Sequence, residues 1–239
     1  MKIRLDARLS AIFGMVPSKS VVADIGCDHA LLACALAETG RASHVFACEA
    51  NLGPLLRAQK TIMENCLSSK IDTVLTNGLT GLPHSLIDTF IIAGMGGELI
   101  GEILLTHMWT RDSRFQFILN PMTKEEDLRR LLFKNGFTIA KEVCIISDIK
   151  VYTVMLVLYT DLSCDIEELS FYTWCHLDSN DFSSMLYISR VINRLEKKIN
   201  GLRMSKKAEN DEKLQYYEKI TEEIKNKVQK RWNGKCFIQ

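Results

Sequence analysis

No Cys-x-x-Cys pair occurs among the eight cysteines of this chain, and that absence removes the usual spacing of a zinc site or a dithiol redox centre. Cys27, Cys34, Cys48, Cys66, Cys144, Cys164, Cys175 and Cys236 are scattered, several within apolar runs, and are expected to be buried free thiols. No metal is expected. Residues 1–14 contain no uninterrupted hydrophobic stretch, so neither a signal peptide nor a membrane anchor is expected there, and the chain reads as cytoplasmic. Net charge is nearly absent too, at +1 over 239 residues.

That small total conceals a division. Residues 190–239 hold 14 Lys/Arg against 7 Asp/Glu, whereas residues 1–189 hold 16 against 22. A basic end on an acidic body suits a polyanionic partner met by one end of the molecule. A solvated helical surface accounts for the same charges. Hydrophobic residues make up 47% and charged residues 25%, an ordinary globular balance that can offset chain entropy without a disulfide framework. A chain of 239 residues bounds the molecule to one large domain, or one with a small appendage.

From residue 20 to about residue 159, short β-branched runs alternate with segments of helical period. Strands are expected at 21–25, 44–48, 71–75, 89–93 and 115–119. Helices are expected through Leu31 to Leu36, at 54–66, through Leu99 to Leu104, and from Thr123 to Asn135-Gly136, with Glu126 as capping-box partner of Thr123. Such alternation means right-handed βαβ units and a mainly parallel sheet. Two further strands, 137–146 and 151–159, flank the polar turn at 147–150 and form a final antiparallel pair. After Asp161 the pattern becomes helical. Met185, Ile188, Ile192, Leu195, Ile199 and Leu202 form a heptad seam, and Leu214, Tyr217, Ile224 and Val228 form a second run after a polar turn. The expected domains are therefore an α/β body over 1–160 and a basic helical hairpin over 161–239. The hairpin could bind a substrate, pack on the body, or dimerise.

An open parallel sheet binds its ligands beyond the carboxyl ends of its strands. The residues there become the candidates. Asp24, Gly26, Cys27, Asp28 and His29 follow the first strand, where a glycine turn lets backbone N–H groups approach a nucleotide. Only Gly26 keeps the usual glycine spacing, because Asp28 and Ala30 stand where more glycines would be expected, and a simple turn explains the same residues. His29 is a possible acid or base, or a residue that caps its own helix. Glu49, with Ala50 after it, closes the second strand. A carboxylate there can accept both ribose hydroxyls, and taken alone a polar strand end explains it more simply. Ala93, Gly94, Met95, Gly96 and Gly97 place three glycines in four positions after a strand. That is costly in chain entropy unless something approaches the backbone closely or a tight turn requires it. Asn120, before Pro121, offers an amide able to read a base edge, and also a routine turn start.

Taken together, these segments resemble the bacterial tRNA (adenine-22-N1)-methyltransferase family. The resemblance rests on Leu5-Asp6-Ala7-Arg8-Leu9, on the run from Val22 to Ala30 that contains Asp-Ile-Gly-Cys-Asp-His, on Cys48-Glu49 with Gly53-Pro54, on Asn77-Gly78-Leu79, and on Asp88 to Gly97 ending Ala-Gly-Met-Gly-Gly. It extends in order over residues 4–158. The resemblance implies a Rossmann-like class I methyltransferase sheet, S-adenosyl-L-methionine as cofactor, tRNA as partner, and methylation of N1 of an adenine in the D-arm region. It further implies that Asp24, Gly26, Cys27 and His29 line the methionine part of the cofactor, Glu49 and Ala50 the ribose, and Asn77 and Gly78 the adenine end. Asp28 and the loop of Ala93, Gly94, Met95 and Gly96 would face the methyl group. Because Asp28 stands where a glycine would serve cofactor binding better, Asp28 and Asn120 are the expected catalytic pair, Asp28 accepting from the adenine amino group and Asn120 holding the base edge. This chain departs from the family at Asn120-Pro121-Met122, where Gln-Pro-Asn is usual, and at Thr153, where Glu is usual. The alternatives are a non-catalytic RNA-binding protein on the same fold and a methyltransferase for another substrate.

Overall fold

A computed structural model describes residues 3–162, 166–205 and 211–232. The chain divides into two compact units, Met1–Cys164 and Asp165–Gln239.

The first unit begins with a helix that periodicity does not announce, α1 (Ala7–Met15). Asp6 starts it, its Oδ1 accepting the Leu9 N–H at 2.6 Å, which satisfies one of the donors that every helix start leaves open. The body then runs β1 (Ser20–Ile25), α2 (Leu31–Glu38), β2 (Ala42–Glu49), α3 (Leu52–Glu64), β3 (Ile71–Leu75), β4 (Thr89–Gly96), α4 (Gly97–Leu105), β5 (Gln116–Thr123), α5 (Glu125–Lys134), β6 (Phe137–Ser147) and β7 (Lys150–Tyr159). The seven strands form one sheet in the order β3-β2-β1-β4-β5-β7-β6. Neighbours from β3 to β5 are parallel, and β7 runs antiparallel to both β5 and β6.

Burial explains the strand choices. Val22, Ala23, Ile91, Ile92, Phe117, Ile118 and Leu119 are all fully buried, as expected for central parallel strands covered on both faces. Stacked and edge-on contacts among Phe90, Phe115, Phe117 and Phe137 fill one side of the sheet. Each buried Phe, Leu or Ile contributes about 1.5–3 kcal/mol relative to exposure.

Four expectations are corrected. Strands β4 and β5 extend through Gly96 and Thr123, so the glycine segment and Asn120-Pro121-Met122 are strand ends rather than loops. Helix α5 starts after Lys124, which adopts φ +58° with no side-chain cap; β5 still holds Thr123, so the expected capping box does not form. Helix α3 starts at Leu52, before Gly53-Pro54. Cys66 and Cys175 are exposed, whereas Cys27, Cys34, Cys48 and Cys144 are buried; Cys164 and Cys236 lie outside the described residues.

The second unit holds α6 (Glu168–Thr173), α7 (Phe182–Ser205) and α8 (Asp211–Arg231). Asp181 opens α7 by accepting the Ser184 N–H at 2.8 Å. Ion pairs Glu196–Lys225 and Arg203–Glu218, both at 2.6 Å, set α7 and α8 antiparallel. Met185, Ile188, Leu195 and Ile199 of the expected seam are buried, joined by Tyr187 and Val191; on α8 the buried residues are Ile220, Thr221 and Ile224. The polar turn expected between these helices lies at 206–210, outside the described residues. Among the described residues no helix is long and apolar enough to cross a membrane.

Candidate active site

Strand order reverses direction between β1 and β4, and a cleft of about 440 Å³ opens beyond their carboxyl ends. Asp24, Gly26, Cys27, Asp28, His29, Ala93, Gly94 and Met95 line it, together with Asp6, Arg8 and Leu9 from α1 and Leu31 and Leu32 from α2. Candidates drawn from two distant stretches of sequence thus meet in one place. Glu49, Ala50, Gly96 and Asn120 do not line this cleft, and Asn77 and Gly78 line a separate hollow of about 160 Å³ with Leu99, Glu102 and Ile103 of α4.

The turn after β1 is fixed by its own backbone. The Gly26 and Cys27 N–H groups both donate to the Cys48 carbonyl, at 2.9 and 3.1 Å, and the Asp28 N–H donates to Glu49 Oε1 at 2.5 Å. Gly26 has φ +73°, where a side chain is strained. Asp28 and Ala30 adopt φ +49° and +53° without being glycine, strain of a kind concentrated at ligand sites. Asp28 lines the cleft with its carboxylate 68% exposed, 3.9 Å from Arg57 Nη2 and 3.7 Å from His29 Nε2.

On the other side, β4 and β5 pair Ala93 with Asn120 and Met95 with Pro121. Gly94 is therefore the extra residue of a bulge, at φ +82° with open space where a Cβ would stand. Bare backbone faces the cleft there.

Asp24 is the most perturbed acid in the cleft. Burial, reinforced by Glu49 and partly opposed by Arg8, pushes its carboxyl up to about 7. The same burial, with the charges of Asp24 and Glu49, pushes the Cys27 thiol up, which makes it an inert thiol rather than a nucleophile. An acid held near neutrality by burial favours a cationic ligand. For stability the sign follows from the raised folded value: the folded chain keeps a proton that the unfolded chain releases above about 3.8. Asp24 therefore turns unfavourable for folding as pH rises from 3.8 to about 7, and the cost is constant above that. The ligand-free Asp24→Asn variant is expected to melt about 4–8 °C above the parent at pH 8, with the difference vanishing near pH 4. Equal melting curves at both pH values, read by circular dichroism, would refute the assignment.

Asn120 is placed differently from its expected role. It is fully buried, its Nδ2 donating to the Thr153 carbonyl at 2.7 Å and its Oδ1 accepting from Arg8 Nη1 at 3.1 Å. Both ends of the amide are engaged, so it offers no free edge to a base. What reaches the cleft in its place is Arg8, which sequence reasoning missed. The available signal was Asp6 followed by Ala7-Arg8-Leu9, a capping residue with an arginine in the turn that follows.

A mostly parallel sheet with a switch-point cleft, a pinned glycine turn and an acid after the second strand defines an α/β protein built to hold a nucleotide-like cofactor. Residues 5–155 match the family model described as methyltransferase domain, and the chain belongs to that family. It is 32% identical over 155 residues to the tRNA (adenine(22)-N(1))-methyltransferase of Bacillus subtilis, an alignment covering 65% of each protein. Among solved structures, a putative tRNA (m1A22) methyltransferase of Streptococcus pneumoniae in complex with S-adenosyl-L-methionine aligns over 94% of this chain and 100% of its own, at 25% identity and TM-score 0.76. TrmK of M. capricolum with S-adenosyl-homocysteine aligns over 94% and 97%, at 27% identity and TM-score 0.75.

Proposed function

We propose that this chain is an S-adenosyl-L-methionine-dependent tRNA methyltransferase acting on N1 of adenine 22 in the D-arm region. The observation that carries the reading is the meeting, in one cleft, of buried Asp24, the bare backbone at Gly26 and Gly94, and exposed Asp28. These residues fit the cofactor. Within the cleft Asp24 has the charge to meet its ammonium or sulfonium and Gly26 and Cys27 the close backbone; outside it, Glu49 would offer its second carboxylate oxygen to the ribose, and the separate hollow at Asn77 and Gly78 would take the adenine. S-adenosyl-L-methionine supplies an electrophilic methyl group on a positive sulfur. The reading also accords with the proteins from B. subtilis, S. pneumoniae and M. capricolum, and with a cytoplasmic location.

The chain's own residues have a limited task. Adenine N1 carries a lone pair, and after methylation the base holds a positive charge with no proton that must leave. The group required is an acceptor for the adenine amino group. The exposed carboxylate of Asp28 can take that role and stabilise the charge as it develops. N1 of a paired adenine is covered by its partner, so the nucleotide must be unpaired or displaced before it enters.

The test is transfer of labelled methyl from S-adenosyl-L-methionine to a tRNA transcript, with nucleoside mapping. 1-Methyladenosine at position 22, lost when adenine 22 is replaced by guanine, is the expected result. Cofactor binding without transfer to any tRNA would leave the fold and refute the activity.

The hairpin is the proposed RNA-holding element. Lys197, Lys213, Lys219 and Lys230 have no ion-pair partner among the described residues, whereas Lys225, Lys227 and Arg231 are already paired with Glu196, Glu167 and Asp178. Changing those four lysines to glutamate is expected to weaken tRNA binding roughly 30-fold and flatten the slope of log affinity against log salt by about 3. Cofactor affinity should not move. Anisotropy across a salt series checks both, and an unchanged slope would remove the hairpin from the interface.

A further inference from the structure

Arg8 is the cation that α1 contributes to the cleft, and its position is built rather than incidental. Its Nη1 is tied to the fully buried Asn120, whose other end is tied to the backbone of β7. Its guanidinium carbon lies 6.0 Å from the centre of the Tyr152 ring, also on β7. Two strands therefore fix one arginine. Its other guanidinium N–H groups have no hydrogen-bond partner among the described residues, and the side chain lines the cleft with Asp24.

A fixed arginine is out of place in a cleft that receives a cationic cofactor and yields a cationic base, unless an anion docks between them. Like charges inside a half-buried cleft repel more strongly than in water. Asp24 sits in the same cleft but does not use the remaining donors. A planar guanidinium with spare parallel N–H groups matches an oxyanion.

We propose that Arg8 is an oxyanion clamp on the β5 side of the cleft, and that Asn120 is its positioning residue. The inference rests on the methyltransferase reading for its choice of ligands. Two sources carry the required chemistry: the α-carboxylate of the cofactor's amino-acid end and a phosphate of the RNA strand. With the first, Arg8 and Asp24 present the two opposite charges that an amino-acid zwitterion needs. With the second, Arg8 seats the backbone of the nucleotide whose base enters.

The experiment is binding to the full chain without turnover, for the parent, Arg8→Met, Arg8→Lys, Asn120→Ala and the Arg8→Met/Asn120→Ala pair. Calorimetry uses S-adenosyl-L-methionine and its decarboxylated analogue, which keeps the amine and lacks the carboxylate. Anisotropy uses tRNA in the presence of S-adenosyl-homocysteine. Loss of one charged hydrogen-bonded contact corresponds to roughly 10- to 100-fold in affinity. A loss of that size for S-adenosyl-L-methionine but not for the decarboxylated analogue supports the clamp and assigns it to the carboxylate. A loss for tRNA alone supports it and assigns it to phosphate. Arg8→Lys keeps the charge without the fork and should fall between parent and Arg8→Met, which also serves if Arg8→Met does not fold. Asn120→Ala should weaken the same ligand in part, and add nothing once Arg8 is gone. Affinities within twofold of the parent for all three ligands overturn the proposal. No arm requires methyl transfer, so a protein that binds cofactor yet leaves tRNA unmodified would refute the activity while the same titrations still settle Arg8.

Discussion

Asp28→Asn is expected to lower single-turnover methyl transfer about 1,000-fold while the cofactor's Kd stays within roughly twofold. Asparagine is the informative replacement because it tolerates the left-handed backbone at φ +49°, whereas alanine would add backbone strain to the lost charge. It also keeps the shape and removes only the acceptor charge facing the amino group. The carboxylate's neighbours at 3.9 and 3.7 Å, Arg57 and His29, are exposed and loosely held, so neutralising Asp28 leaves no buried charge behind. Proportional losses in transfer and in cofactor affinity would instead make Asp28 a member of the cofactor turn with no special part in the chemistry.

The largest expected stability effect lies away from the cleft, at Arg129→Met. Arg129 on α5 and Glu142 on β6 are both fully buried, joined by Nε to Oε2 at 3.1 Å and Nη2 to Oε1 at 2.5 Å. Breaking a buried, doubly hydrogen-bonded ion pair of this kind costs about 3–5 kcal/mol, or about 10 °C in melting temperature for a chain of this size. The double replacement Arg129→Met/Glu142→Leu should recover most of that loss, because two apolar side chains leave no charge to desolvate. A single variant melting within about 2 °C of the parent would refute the cost assigned to this pair.

The sheet was legible in the sequence because its central strands are buried on both faces and read as short β-branched runs such as Val21-Val22-Ala23-Asp24-Ile25. The acid at the end of the second strand and the glycine segment were legible for a related reason: each stands where a parallel strand ends. Helix α1 was not legible. Its nine residues mix Arg, Ser and Gly with apolar side chains, and packing beneath the sheet rather than periodicity selects the helix. Where strands end was also hidden, since Gly94 at φ +82° permits a bulge through which β4 continues. Asn120 was recognised as important on its residue type, but type alone cannot tell an amide that meets a ligand from one whose bonds are satisfied within the fold. That distinction required the distances to Arg8 and Thr153.

Gly97 has a consequence beyond its own helix. A Cβ added there would stand 2.4 Å from the Lys124 carbonyl oxygen and 3.1 Å from Leu128 Cβ, so the starts of α4 and α5 abut with no room for a methyl group. Because α4 follows directly from β4 and α5 from β5, the two strand ends behave as one mechanical part. In a saturation library Gly97 should therefore rank among the least tolerant positions of the whole chain, although it does not line the cleft. A lineage that altered it would have to rebuild the Lys124 turn in the same step.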